Sequence, residues 1–206
     1  MPLALSLGVE EHVYSKYFDV TNDIEMLPKA DLVVFPGGGD WHPSFYGKEP
    51  HPNTYSDFRY DEFTWIIAKQ AICSGKMLAG HCRGAQLLCI LNGDRLIQHT
   101  TGHTNGLHDI TTNRGNMLKV NSIHHQMMLP TKNFELLAWS SENLSDRYET
   151  TDDMKNILHL QIEKEPEAVY FNKIKGLLRS EPATLDMLMM EPEPAFFITR
   201  EACFMP

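Results

Sequence analysis

The segment Gly80-His81-Cys82-Arg83-Gly84 interrupts an apolar run, Met77 to Leu91, where a strand-like pattern gives way to helical spacing. A cysteine between two glycines at such a joint fits the G-x-nucleophile-x-G elbow, a tight turn that lifts the nucleophile above a sheet. The glycines let neighbouring backbone pass close to that turn. At the start of the following helix, the N–H groups and the helix dipole favour a thiolate at Cys82 over the thiol. The backbone N–H of Arg83 points toward the same space, where it can receive an oxyanion. The plain alternative is a small buried thiol in a glycine turn, a common place for cysteine. Cys73 and Cys89 fall on helical faces and read as core residues, whereas Cys203 has no assignable place.

A second glycine feature stands upstream. Gly37, Gly38 and Gly39 end the β-branched run Asp31 to Phe35. Their N–H groups suit a second oxyanion donor, although a flexible turn has the same composition. The elements that must carry these two features can be read around them. Phe63, Ile66, Ile67, Ala71 and Ile72 recur at helical spacing, which predicts a helix from Tyr60 to Ser74 stopped by Gly75. Met77 to Gly80 reads as a strand and Arg83 to Leu91 as a helix, ended by Asn92-Gly93. That order predicts βαβ units and a mainly parallel sheet. Loops at the C-terminal ends of neighbouring parallel strands converge on one crevice, so the Gly37–Gly39 loop and Cys82 are expected to face each other.

After Leu118 the pattern changes. LKVNSIHH, FELLAWS, NILHLQIE and AVYF are strand-like pieces between polar turns, which suggests mixed or antiparallel pairing. Residues 140–154, SSENLSDRYETTDDM, read as a solvated loop, and the opening MPLALSLGVEEH as a first strand. The stretch from Glu181 to Pro206 carries four prolines and no readable pattern.

Bulk properties narrow the function classes. At 206 residues the chain is most economically one domain, 1–206, with ordinary composition at 42% apolar and 22% charged. A net charge of −9 without a basic run argues against holding nucleic acid by phosphate neutralisation. Four cysteines without CxxC spacing and no basic leader predict reduced thiols in a cytoplasmic protein. The apolar run at the start is too short to span a bilayer, so no membrane role is expected.

FPGGGDWHPSFYG, DEFTWIIAKQAICSGKMLAGHCRGAQLL, NGDRLIQH and VNSIHHQ, in this order over Val33 to Gln126, resemble the class I glutamine amidotransferase-like superfamily. The nearest branch is its γ-glutamyl-amide hydrolases, similar to γ-glutamyl-γ-aminobutyrate hydrolase, with a weaker echo at Pro166 to Leu178. Small proteins of this kind also occur in large DNA bacteriophages. The resemblance implies a flavodoxin-like α/β sandwich and a Cys-His-Glu triad that cleaves a glutamine-type side-chain amide without a cofactor. It implies Cys82 as nucleophile, with Gly38 or Gly39 and Arg83 lining the oxyanion hole. Gln86, Asn121 and Ser122 would contact a small γ-glutamyl substrate. It leaves open a homodimer, and a synthetase partner that receives the ammonia.

The chain departs from the family at the proton carrier. A cysteine amidase needs a histidine to protonate the leaving amine and a carboxylate to orient that histidine. The family takes both from a His-Pro-Glu motif, which is absent here. Where it is due, the chain reads Arg179-Ser180-Glu181-Pro182, so Glu181 stands for the glutamate with no histidine before it. His124 and His125 are the candidate replacements, and strand alternation would turn them to opposite faces. His81 should point away from its neighbour, and His159 reads as a packed or half-exposed histidine. Without a replacement base the chain is an impaired amidase or a binding module that keeps the glutamyl pocket. A cysteine-dependent hydrolase or redox protein of the wider flavodoxin-like group is a further alternative. His99, His103, His108 and Asp109 have spacings a metal can use, but glycine and threonine dominate that stretch and no metal is expected. Asp57, Arg59, Asp61 and Glu62 read as helix-start and surface charges.

Overall fold

A computed structural model of the chain describes residues 24–174, except 105 and 173. The expected first strand, Glu181 and Cys203 lie outside the described residues. After a short 3₁₀ turn at Ile24–Lys29 comes β1 (Leu32–Phe35), then a 3₁₀ turn at Pro43–Tyr46 and helix α1 (Phe58–Cys73). Strand β2 (Met77–Gly80) and helix α2 (Arg83–Leu91) follow. β1 and β2 pair in parallel, Leu32 with Met77 through Phe35 with Gly80, so both strands end at one edge. The chain leaves that edge twice, once into the Gly37–Gly39 loop and once into Cys82.

α1 starts where Asp57 caps it, its Oδ1 accepting from the N–H groups of Arg59 (3.0 Å) and Tyr60 (3.2 Å). It stops at Gly75, whose φ of 69° needs no side chain. The face it buries is not the one its apolar spacing suggests. Asp61, Thr64, Ala68, Ala71 and Ile72 are inside, while Phe63 and Ile66 are exposed. α2 is different: every one of its nine residues is buried, so apolar side chains all round its axis are satisfied. It lies in the main core with Phe35, Trp41, Leu96, Met128 and Phe171.

The rest of the described chain is strands, and there the pairing is antiparallel. β3 (Arg95–Ile97) pairs with β7 (Met127–Leu129). A four-stranded sheet runs β11 (Pro166–Phe171), β8 (Phe134–Ser140), β5 (Leu107–Thr112) and β6 (Met117–Asn121). A three-stranded sheet has the order β10 (Ile157–His159), β9 (Tyr148–Thr151) and β4 (His99–Thr100). Among the described residues, parallel pairing between named strands is therefore confined to β1 and β2. The expected solvated loop 140–154 instead contains β9, buried along its whole length. Its polar side chains are matched across the fold: the Thr150 hydroxyl donates to Gln98 Oε1 (3.1 Å), and Glu149 meets His51 at 3.3 Å.

Candidate active site

Cys82 is the residue before α2, and its backbone has φ 52° and ψ −112°. That left-handed φ is costly for a residue with a side chain and persists only where the surroundings enforce it. The enforcing parts are visible. The His81 N–H donates to Phe35 O (3.0 Å) and the Gly84 N–H to His81 O (2.9 Å), closing a tight turn on the end of β1. A Cβ on Gly80 would lie 2.3 Å from Gly84 O, and one on Gly84 would lie 2.0 Å from Phe35 O. Both positions thus need glycine for close backbone approach. The Gln86 N–H donates to Cys82 O (3.1 Å) as the first helical hydrogen bond.

The glycine loop meets the elbow as expected from parallel strands. A side chain on Gly37 would touch Cys82 Cβ at 3.4 Å and His81 Nδ1 at 3.5 Å, so the Cys82 Cβ and the His81 ring both approach one face of Gly37. A side chain on Gly38 would meet Arg83 Cδ at 3.0 Å, whereas Gly39 is turned toward Tyr55 O.

Arg83 is more than a backbone donor. Its side chain is buried, with Nη2 2.5 Å from Asp61 Oδ1 and the guanidinium 4.2 Å from the Trp41 ring centroid and 4.6 Å from that of Tyr60. Trp41 Nε1 donates to Arg83 O (2.8 Å), and Asp61 Oδ2 accepts the His42 N–H (2.8 Å). Asp61 is 1% exposed, which corrects its reading as a surface charge. It ties α1 and the loop after β1 to the first residue of α2. No short-range pattern could have revealed this, because Asp61 lies among other acidic and basic residues and its partner is 22 positions away. A cavity of about 350 Å³ opens beside this clamp, walled by Asp40, Tyr55, Asp57, Tyr60 and Arg83.

The VNSIHHQ segment approaches from the other side. Gln86, one turn beyond Cys82, donates Nε2 to Gln126 O (3.2 Å). His125 Nε2 lies 3.0 Å from Asp40 Oδ1, and its Nδ1 lies 3.4 Å from His99 Nδ1. His99 in turn stacks on His51, ring centroids 5.4 Å apart. The loop 37–40, the turn 82–86 and residues 125–126 are thereby linked in one neighbourhood. His124 goes elsewhere, stacking on His103 with centroids 4.8 Å apart. The two histidines separate as alternation predicts, although residues 122–126 form no strand. Asn121 ends β6 opposite Leu107. The Ser122 hydroxyl is engaged by His103, 3.0 Å from its O and 3.1 Å from its Nδ1. His159 is exposed on β10, 3.6 Å from Glu149 Oε1. Cys73, Cys82 and Cys89 form no disulfide; Cys73 is exposed rather than core, and burial pushes the Cys89 thiol well up.

Fold and site together define a class I glutamine amidotransferase-like α/β protein. The family described as Peptidase C26 matches residues 15–165, and the chain belongs to it. A glutamine amidotransferase-like protein of Lactococcus lactis subsp. cremoris, the YvdE homolog, is 31% identical over 132 residues, covering 53% of this chain and 70% of that protein. Its counterpart YvdE in Lactococcus lactis subsp. lactis is 28% identical over 166 residues, covering 69% and 70%. The crystal structure of a glutamine amidotransferase from Thermotoga maritima superposes with a TM-score of 0.52 at 12% identity, covering 94% of this chain and 69% of that one. A protein from Thermoplasma acidophilum described as a GMP synthase subunit gives a TM-score of 0.51 at 12% identity, covering 91% and 74%. These likenesses establish the flavodoxin-like fold of the class. No helix of the described residues is long and apolar enough to cross a membrane.

Proposed function

We propose that this chain is a cysteine-dependent hydrolase of γ-glutamyl amides. Its Cys82 thiolate attacks the side-chain carbonyl carbon of glutamine or a γ-glutamyl amine. The Sγ–C bond forms as the carbonyl becomes an oxyanion, received by the Arg83 N–H and the Gly38–Gly39 loop. Collapse breaks the C–N bond, the amine leaves with a proton, and the γ-glutamyl thioester is then cleaved by water. The observation that carries this reading is the left-handed Cys82 before α2, held by backbone contacts that only glycine at 80 and 84 permits. A buried structural thiol gives no reason for such strain.

For the proton we assign His125, oriented by Asp40 at 3.0 Å. Both of its ring nitrogens are engaged, by Asp40 and His99, so it must give up one of them to serve Cys82. Acylation by an activated γ-glutamyl ester, whose leaving group needs no proton, should therefore be fast, and hydrolysis of glutamine slow. General acid–base catalysis is worth about 100- to 10,000-fold, which sets the expected gap. Glutamine turnover measured with His125→Asn and His124→Asn tests this. Loss with the first change and retention with the second supports the assignment. Brisk turnover that survives His125→Asn refutes it.

The likeness to a GMP synthase component supports a second outcome, in which ammonia passes to a synthetase instead of solvent. Glutaminase activity that rises when a synthetase is added distinguishes the two. A chain that binds γ-glutamyl ligands but is never acylated is instead a binding module.

A further inference from the structure

The strand-rich half holds a histidine–carboxylate cluster that the amidase chemistry does not use. His103, in the loop before β5, His124, in the loop before β7, and Glu167, on β11, each offer a ligand atom within 4.8 Å of the others. His103 and Glu167 are buried, and His124 is half-buried at the edge of the group. Of the stretch whose spacing suggested ligands, His103 alone joins this group of three. His99 turns to His125, and Asp109 is exposed beside Lys119.

We propose that His103, His124 and Glu167 form a binding site for a divalent transition-metal ion of the zinc class. Two imidazoles and one carboxylate suit zinc, and three protein ligands leave a fourth position open. The surroundings are those of a ligand set already oriented. His103 Nε2 lies 3.0 Å from Glu165 Oε2, and its Nδ1 lies 3.8 Å from Glu167 Oε1, on the side of the metal position, where an ion would take the place of its 3.1 Å contact with the Ser122 hydroxyl. A carboxylate on the far nitrogen is how metal-bound histidines are commonly held. Glu165 is itself fixed by the N–H groups of Leu144 (2.9 Å) and Ser145 (2.8 Å) and by the Tyr148 hydroxyl (2.8 Å). Glu167 is oriented in the same way, by His108 Nε2 at 3.0 Å and the Ser140 hydroxyl at 3.1 Å. Glu165 and Glu167 are both buried, and one divalent ion would neutralise the pair.

The consequence reaches the active site through one peptide unit. His124 adjoins His125, so an ion on His124 pins the loop that brings His125 to Asp40. In this arrangement His124 is not the amidase base, which separates the inference from the reading above: metal binding can be present whether or not Cys82 turns over glutamine.

The test is cobalt and zinc binding to the full chain after stripping with a chelator. One equivalent of Co²⁺ should give the visible absorption of a low-symmetry, four-coordinate site, and Zn²⁺ should displace it and raise the Tm. His124→Gln, at the half-buried edge, should weaken binding at least 100-fold. Glu165→Gln, one contact removed, should weaken it by 10- to 100-fold. His159→Gln, on exposed β10, should leave it unchanged. Absence of stoichiometric cobalt uptake by the folded wild-type chain overturns the proposal, as does binding that His124→Gln leaves intact.

Discussion

Replacing Asp61 by Asn should do more damage than a change on the first turn of a helix ordinarily does. The substitution keeps the shape and removes the charge that faces Arg83, whose side chain is 3% exposed against 1% for Asp61. The guanidinium would then remain buried between the Trp41 and Tyr60 rings with no anion beside it. Breaking a buried pair from one side costs about 3–5 kcal/mol, because an uncompensated charge stays inside. For a chain of this size that corresponds to a fall in Tm of roughly 6–20 °C. Thermal unfolding followed by circular dichroism reads it directly. The combined change Asp61→Leu with Arg83→Met removes both charges and should recover much of the loss, since apolar replacement of a buried pair is often close to neutral. A fall of less than about 1 kcal/mol for Asp61→Asn would refute the clamp. So would a double variant that loses the sum of the two single losses.

Cysteine alkylation at neutral pH should mark Cys82 ahead of Cys73, although Cys73 is exposed, because Cys82 sits at the N-terminus of α2. Cys89, buried with its thiol pushed up, should stay unlabelled in the folded protein, and peptide mapping gives the order. Acidification should destabilise the fold as pH falls below about 6.5. Burial lowers His51 and His99, and the neighbouring His125 and His51 lower His99 further. A histidine lowered on folding contributes stability that is complete above its unfolded value near 6.5 and lost as pH falls below it. His99→Gln should flatten the Tm profile over that window, and an unchanged profile would count against the stack as its cause.

The elbow was legible because five contiguous residues specify it, and the structure shows each glycine doing steric work within that short span. The helix Phe58–Cys73 was legible in extent, since its cap and stop are local. Its buried face was not, because Phe63 and Ile66 point outward while Thr64 and Asp61 are inside. Periodicity assumes that apolar residues face the core, and here Arg83 draws an acid inward instead. Strand β9 was hidden for a similar reason. Glu149, Thr150 and Thr151 look like surface residues until Gln98 and His51, some 50 to 100 positions earlier, are seen to satisfy them. His125 meeting Asp40, and His124 meeting His103, are likewise contacts between distant segments, and adjacency in sequence gives no hint of which goes where.

Mass measurement of the protein after exposure to a γ-glutamyl p-nitrophenyl ester bears most directly on the role of Cys82. A burst of p-nitrophenol is expected, with one γ-glutamyl group on the chain, mapped to Cys82 and abolished by Cys82→Ser. Acylation of Cys73 in place of Cys82, or no covalent adduct on a folded chain, would contradict that role.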